Sequence, residues 1–299
     1  MQFDLIKKYP KPVKIIFIFI LFFTVFDLLI PLPDPKEFSK EIHAKDGTLL
    51  TAFLTNDDKW RLKSELREAS PELIKAIIEK EDRWFYWHFG INPVSIVRAL
   101  YKNLITGEVE FGASTITMQV ARMLEPKERT YINKLSEMFR AVQLEIKYSK
   151  EEILGLYLSL LPFGGNIEGV KSASYIYFNR APDKLSLAQS IMLAVIPNDP
   201  NTLRLDRSNE KIISERNFWI KKFRDENIFT LKDLDNASNE PVERNRYNIP
   251  VLAPHFSHYI KNKYNGDILN TTLDLSIQHT AENLLLRNVK KVFYKGITN

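Results

Sequence analysis

Three stretches hold residues whose types and spacing could do chemistry. The first, Glu81 to Gly90, sets Trp84, Phe85, Tyr86, Trp87 and Phe89 beside a carboxylate pair, Glu81 and Asp82, and beside His88. On a helix, Glu81, Phe85 and His88 at i, i+4 and i+7 share one face. A carboxylate walled by aromatics is partly stripped of water, which suits a general base. An amphipathic helix end with an aromatic staple has the same spacing. The second, Phe111 to Gln119, puts small and hydroxyl residues ahead of the helix-like Val120, Ala121, Arg122, Met123 and Leu124. Backbone N–H groups at such a start can face an anion, and Ser114, Thr115 and Gln119 can bond sugar or phosphate oxygens. Plain N-capping by Ser114 or Thr115 accounts for the pattern as well. In the third, Lys134, Glu137, Arg140 and Glu145 lie on one expected helix. Glu137 is i+3 from Lys134 and i−3 from Arg140, so the three can cluster. Two cations beside a carboxylate suit a pyrophosphate leaving group; a solvated face of ordinary ion pairs is the alternative.

The elements that must position these residues follow from caps and periodicity. Ser70, Pro71 and Glu72 open a helix through Leu73, Ile74, Ile77 and Ile78. Ser149 with Glu152 is a capping box ahead of Ile153 to Leu161, and Ser186 with Gln189 opens a third helix that Pro197 helps to stop. Residues 40–62 read as a β-hairpin turning at Asp46-Gly47. The glycines of Pro162-Phe163-Gly164-Gly165-Asn166 read as a helix C-cap. Gly90-Ile91-Asn92-Pro93 leads into Val94, Val97, Leu100, Tyr101 and Leu104, either a helix dipping into a membrane surface or a buried one. From about 65 to 225 the chain is mainly α. Residues 226–265, with Pro241, Pro250 and Pro254, read as a linker. Thr271 to Leu275 reads as a strand leading into an amphipathic helix, so that 266–299 looks like the opening of a further domain.

At 299 residues, 44% hydrophobic and 26% charged, the chain has the balance of a folded protein, which excludes disorder over its whole length. With no cysteine, disulfides, thiolate nucleophiles and cysteine-type metal sites are excluded. The five histidines are scattered, without HExxH, and neither GxxxxGK[ST] nor GxGxxG occurs. The net charge of +5 fits an anionic partner: nucleic acid, anionic lipid or a phosphorylated substrate. The N-terminus chooses among them. Ile15 to Phe26 has Thr24 as its one polar member, and the apolar stretch reaches Leu32 with Asp27 as an interruption. A membrane span needs about 20 apolar residues, and about 17 at the least. Lys7, Lys8, Lys11 and Lys14 precede the run, which puts residues 1–12 in the cytoplasm, the anchor at 13–32 and the rest outside. A cleaved signal peptide is the rival, but Pro31-Leu32-Pro33-Asp34-Pro35 is a poor cleavage site.

The order and wording of these pieces resemble the glycosyltransferase family 51 domain of class A penicillin-binding proteins over about residues 65–225. The motif ED-x-x-F-x-x-H-x-G is met by Glu81, Asp82, Phe85, His88 and Gly90. The motif G-x-S-T-[IL]-T-x-Q is met from Gly112 to Gln119. The motif R-K-x-x-E is met at Lys134 and Glu137, with Asn133 in place of Arg. Met118, Arg122 and Ser159 stand where the family often has Gln, Lys and Asn. The details are most similar to the family's 1C branch. The resemblance implies a mainly α, lysozyme-like domain at 63–225 with a jaw region touching the membrane. It implies polymerisation of lipid II into glycan strands in bacterial cell-wall synthesis. Glu81 would deprotonate the acceptor sugar's 4-hydroxyl, which attacks the anomeric carbon of the growing chain and displaces undecaprenyl pyrophosphate. Glu137 would assist at the donor side. Asp82, Phe85, His88, Ser114, Thr115, Gln119, Arg122, Lys134 and Arg140 would bind substrate. No cofactor is required, and a divalent cation, Mg or Mn, is left open. The implied partners are lipid II, the nascent strand, the membrane and other wall-synthesis proteins, with no nucleic acid. The implied location is the cytoplasmic membrane, single-pass, with the catalytic domain extracytoplasmic.

The family's transpeptidase domain carries S-x-x-K and K-[ST]-G. Ser208 to Lys211 fits the first on a charged helix with no K-[ST]-G to accompany it, a chance match, so no transpeptidase activity is expected. A lysozyme-like glycan-cleaving enzyme and a non-catalytic scaffold are the competing readings. The second basic–acidic cluster and the Ser-Thr-x-Thr loop argue against the first, and intact Glu81 and Glu137 against the second.

Overall fold

A computed structural model describes residues 10–106, 114–207, 210–242 and 244–293. The tail before residue 10, Gly112 and Ala113 of the second motif, and Ser208 and Asn209 of the Ser-x-x-Lys match lie outside the described residues. In chain order the elements begin with helix α1 (Lys11–Leu29), strands β1 (Glu41–His43), β2 (Leu49–Ala52) and β3 (Trp60–Arg61), and helices α2 (Pro71–Glu81) and α3 (Pro93–Thr106). Helices α4 (Ile116–Leu124), α5 (Tyr131–Lys147) and α6 (Lys150–Leu160), strand β4 (Ile167–Glu168) and helices α7 (Val170–Phe178) and α8 (Leu187–Val195) follow. The chain continues through α9 (Glu210–Asp225), α10 (Leu231–Asn239), α11 (Pro254–Lys263), strand β5 (Ile268–Asn270) and α12 (Leu275–Phe293). The fold is mainly helical with a small sheet, as the sequence leads one to expect. Among the described residues, no helix is long and apolar enough to cross a membrane.

The chain divides into two compact units, residues 1–36 with 84–153 and residues 37–83 with 154–299. In the first, Thr115 opens α4 by accepting from the N–H of Met118, and Thr130 opens α5 by accepting from that of Asn133. The two helices bury Ile116, Met118, Val120 and Ala121 against Ala141 and Leu144. Each large apolar side chain so buried contributes about 1.5–3 kcal/mol. Gly90 fixes how closely the first motif lies on α5. It sits at φ +74, and an added Cβ would stand 2.9 Å from the Ala141 carbonyl oxygen. Gly90→Ala therefore meets an unfavourable backbone and an immovable neighbour together, and should lower unfolding stability by about 3 kcal/mol. A urea-denaturation midpoint equal to wild type would contradict this.

In the second unit, α8 is the central helix. Ser186 and Gln189 form the expected capping box, and Ala188, Ile191, Met192, Leu193, Ala194 and Val195 are buried. Helices α2, α9 and α10 pack on it. The expected hairpin is present as β1 and β2, antiparallel with Glu41 opposite Ala52, but β3 leaves it and pairs in parallel with β4. Residues 226–265, expected as a linker, hold two helices. Thr230 caps α10 by accepting from the N–H of Asp233, Leu234 and Ala237 are buried, and α11 follows. The terminal strand is Ile268–Asn270 rather than 271–275, because Asp274 accepts from the N–H groups of Ser276 and Ile277 and so starts α12. That strand pairs within this chain: β5 lies parallel to β1, and Leu269, Leu273, Phe256 and Ile260 pack on Ile42, Ala44 and Leu50.

Beneath the hairpin lies a buried charge network. The Glu41 carboxylate accepts from His43 Nε2 at 3.0 Å and pairs with Lys171 at 2.9 Å, and Lys171 pairs with Glu68 at 3.0 Å. His43 Nδ1 lies 3.0 Å from the Gly47 carbonyl oxygen. Both ring nitrogens thus face acceptors, which favours the imidazolium. Burial pulls the His43 pKa down, but the Glu41 hydrogen bond, the Gly47 carbonyl and the Glu41 charge together raise it above the ordinary 6.5, against some opposition from Lys171. The stability this linkage provides is complete below about 6.5 and is lost as pH rises through the higher folded value. Thermal midpoints of wild type should fall from pH 6 to pH 8 more than those of His43→Gln; parallel curves would refute the linkage.

Candidate active site

Glu81 is the last residue of α2. Ser70 starts that helix by accepting from the N–H of Leu73, and Leu73, Ala76 and Ile77 bury its inner face. The helix ends because Asp82 takes φ −160, with its N–H still bonded to the Ile78 carbonyl. Phe85–Trp87 then form a separate three-ten turn, so Glu81, Phe85 and His88 do not share one helical face as the spacing suggested. The Glu81 side chain is 15% exposed and ion-paired with Lys80, itself 4% exposed. Lys80 also donates to Asn198 Oδ1 at 2.8 Å and lies over the Trp219 ring at 5.6 Å. A carboxylate at a helix C-terminus opposes the macrodipole, and Lys80 offsets that. Asp82 is buried beside it.

The first unit carries the remaining motif residues. Phe85 is fully buried, and Lys150 lies 4.4 Å over its ring while donating to the His88 carbonyl oxygen and to Glu145, each at 2.7 Å. Thr117 donates to the same Glu145 oxygen at 2.6 Å. Thr115 donates to the Gly90 carbonyl at 2.6 Å as well as capping α4. The first two motifs are thereby tied to each other and to α5. Ser114, one residue outside that cap, contacts Lys134 Nζ. Lys134 pairs with Glu137 at 3.0 Å, and Arg122 stands 4.0 Å from the other Glu137 oxygen. Burial pulls the Lys134 ammonium below its ordinary value; Glu137 works the other way, while Arg122 and Arg129 add to the drop. Two cations on one carboxylate, with the Arg129 charge acting on Lys134 as well, leave a surplus of positive charge that a bound anion would relieve.

Ser114, Arg122, Lys134 and Glu137 are thus brought together, whereas Arg140 is not with them. Its side chain donates to the carbonyl oxygens of Ile30 and Pro31 at 2.8 and 2.5 Å, to Gln143 Oε1 at 3.0 Å and to Glu125 at 3.2 Å. It is 7% exposed, and these bonds leave from Nη1 and Nε, so that side of the guanidinium is held by protein. Asn133, in the place of the motif Arg, donates to the Glu128 carbonyl at 2.9 Å. A residue the sequence reading did not name, Arg129 in the bend before α5, adds its charge at Lys134. Its position one helical turn before Asn133 was the available signal. Gln119 is on α4, half-buried. Of the other departures, Met118 is a core residue, and Ser159 accepts from the Ser64 N–H at 2.9 Å, so both serve packing. The Gly164–Gly165 pair is no helix cap: at Gly164, φ +93, a Cβ would stand 2.2 Å from the Pro200 carbonyl oxygen. Among the described residues, no group of His, Asp and Glu could hold a metal ion.

The family described as transglycosylase matches residues 46–224. The chain is 38% identical to penicillin-binding protein 1C of Escherichia coli over 269 residues, 89% of this chain and 35% of that one. It is 33% identical to penicillin-binding protein 1A of the same bacterium, over 83% of this chain and 30% of that one. To penicillin-binding protein 1A of Aquifex aeolicus it is 31% identical, over 91% of this chain and 40% of that one. A crystal structure of penicillin-binding protein 1A from Haemophilus influenzae aligns with a TM-score of 0.40 at 18% identity, over 77% of this chain and 24% of that one. The chain thus spans about a third of the length of the curated relatives it matches. With more than half of its residues inside the matched region, the chain belongs to the transglycosylase family.

Proposed function

We propose that this chain polymerises lipid II into glycan strands with release of undecaprenyl pyrophosphate, as a lysozyme-like domain of the peptidoglycan glycosyltransferases. The observation that carries the reading is the pair of cations, Lys134 and Arg122, on the Glu137 carboxylate, with Arg129 adding its charge at Lys134. Such a cluster suits a diphosphate whose charge grows as it leaves. In the proposed reaction Glu81 takes the proton from the acceptor's 4-hydroxyl. The oxygen forms a bond to the anomeric carbon of the growing chain, and the bond from that carbon to the pyrophosphate oxygen breaks. The electron pair goes to the pyrophosphate, which Lys134, Arg122 and Arg129 hold, while Glu137 keeps Lys134 in place. The half-buried setting of Glu81 keeps competing water from its carboxylate.

The lipid substrate calls for a membrane location. Although no helix among the described residues is by itself long and apolar enough to cross a membrane, α1 has 19 residues, about 28 Å at 1.5 Å per residue against a bilayer core of about 30 Å, and we read it as the anchor. Its Phe17, Ile18, Leu21, Leu28 and Leu29 are exposed, as lipid-facing residues would be. Lys11 and Lys14 at its start favour a cytoplasmic N-terminus. In the same unit, α3 exposes Val94, Val97, Tyr101 and Leu104, and Trp84, Trp87 and Phe89 are exposed ahead of it, a composition suited to the bilayer interface. Other wall-synthesis proteins are proposed partners at that membrane. The test is incubation of the detergent-solubilised chain with labelled lipid II, with and without Mg or Mn. Glycan ladders with released undecaprenyl pyrophosphate support the reading. Cleavage of preformed glycan without ladders would replace it with a glycan-cleaving enzyme, and neither product from folded protein would replace it with a scaffold.

A further inference from the structure

The end of α1 has no basic residue of its own in its last turn. The carbonyl groups there are met from α5 instead. Arg140 donates to the Ile30 and Pro31 oxygens, and Gln143 Nε2 donates to the Ile30 oxygen at 2.9 Å and to Asp27 Oδ1 at 2.7 Å. Arg140 also donates to the Gln143 side-chain oxygen at 3.0 Å, so the two clamp residues hold each other. One residue earlier on α5, the Phe139 ring lies 5.2 Å from that of Phe23 and 6.2 Å from that of Phe26. A buried guanidinium on the negative end of a helix, beside a buried amide with both ends bonded, is a rigid and directional joint. It stands one turn of α5 beyond Glu137 and two turns beyond Lys134.

We propose that Arg140 is a positioning residue: with Gln143 it locks the end of α1 to the helix that carries Lys134 and Glu137, and so fixes that cluster relative to the bilayer. The proposal rests on the reading of α1 as an anchor and of the cluster as the diphosphate site. A lipid-linked diphosphate stays at a nearly constant depth at the membrane surface. Its binding groups must be held at that depth, and displacement by about 1 Å can cost orders of magnitude in rate. Direct contact of Arg140 with substrate is not needed for this role, which Nη1 and Nε perform on the end of α1 and on Glu125.

The experiment compares wild type, Arg140→Met, Arg140→Lys and Gln143→Leu in proteoliposomes. Each receives lipid II in the bilayer and, separately, a short-chain water-soluble analogue. For Arg140→Met and Gln143→Leu, the ratio of the bilayer rate to the soluble rate should fall about tenfold, with Arg140→Lys recovering part of the loss. Equal loss on both substrates, which direct ligation or general destabilisation would produce, overturns the proposal, as does an unchanged ratio. A second readout needs no activity. The chain has no native cysteine, so Leu28→Cys with Ile146→Cys, both exposed in wild type, gives two spin labels alone. Their distance distribution should be narrow in the parent and broad with Arg140→Met; a distribution that stays narrow overturns the clamp. A parent that makes no glycan from either substrate refutes the polymerase reading, while the distance measurement still decides the clamp.

Discussion

Glu81→Gln is expected to lower glycan synthesis by about 10³-fold, at the level set by losing one positioned proton acceptor. The amide keeps the size of the carboxylate and can still meet Lys80, so the change removes basicity and little else. Glu81 is the last residue of α2, where a negative charge opposes the helix dipole. Its removal should leave the thermal midpoint level or slightly raised. The pairing of near-total loss of activity with undiminished stability is the result to look for. A carboxylate with a merely structural role, as partner to the 4%-exposed Lys80, would give the reverse: a lower midpoint and retained turnover. Ladder formation at the wild-type rate by the variant would remove Glu81 from the reaction.

The second large effect is expected at Lys134. Lys134→Met keeps the length and apolar bulk of the stem, but removes the cation shared by Ser114 and Glu137. Charge on the pyrophosphate grows as the bond to the sugar breaks, so the loss should fall on kcat more than on KM, by about 10² to 10³. Arg122→Met and Arg129→Met should each cost less, since Arg122 stands 4.0 Å from Glu137 and Arg129 acts on Lys134 through its charge. A Lys134→Met enzyme with raised KM and normal kcat would mean that the lysine only gathers substrate.

Much of this was legible in the sequence where a signal is local. The hairpin turn at Asp46-Gly47, the Ser70 cap and the boxes at Ser149 and Ser186 are short-range patterns with one backbone solution. The clustering of Lys134 with Glu137 is likewise an i, i+3 matter. What spacing could not show was non-local. The spacing of Arg140 from Glu137 is as good as that of Lys134, yet the carbonyl groups that take its donors come from residues 30 and 31, more than a hundred positions away. Strand β5 reads as the start of something else, because its partner β1 lies at the other end of the chain. The end of α2 was missed for a different reason: the apolar period runs on into Phe85, and nothing in Asp82 or Arg83 announces the extended backbone at Asp82.

The pairing of β5 with β1 bears on where this protein can be cut. The family match ends at 224, and a fragment trimmed there would look complete by homology. It would nevertheless lack Leu252, Phe256, Ile260 and Leu269, leaving Ile42 and Leu50 uncovered and one flank of β1 bare. An expression boundary drawn beyond residue 275 retains those partners, whereas one at 225 invites edge-to-edge aggregation of the hairpin. The practical unit of purification is therefore longer than the unit of homology, and its C-terminal limit is set by a strand three residues long.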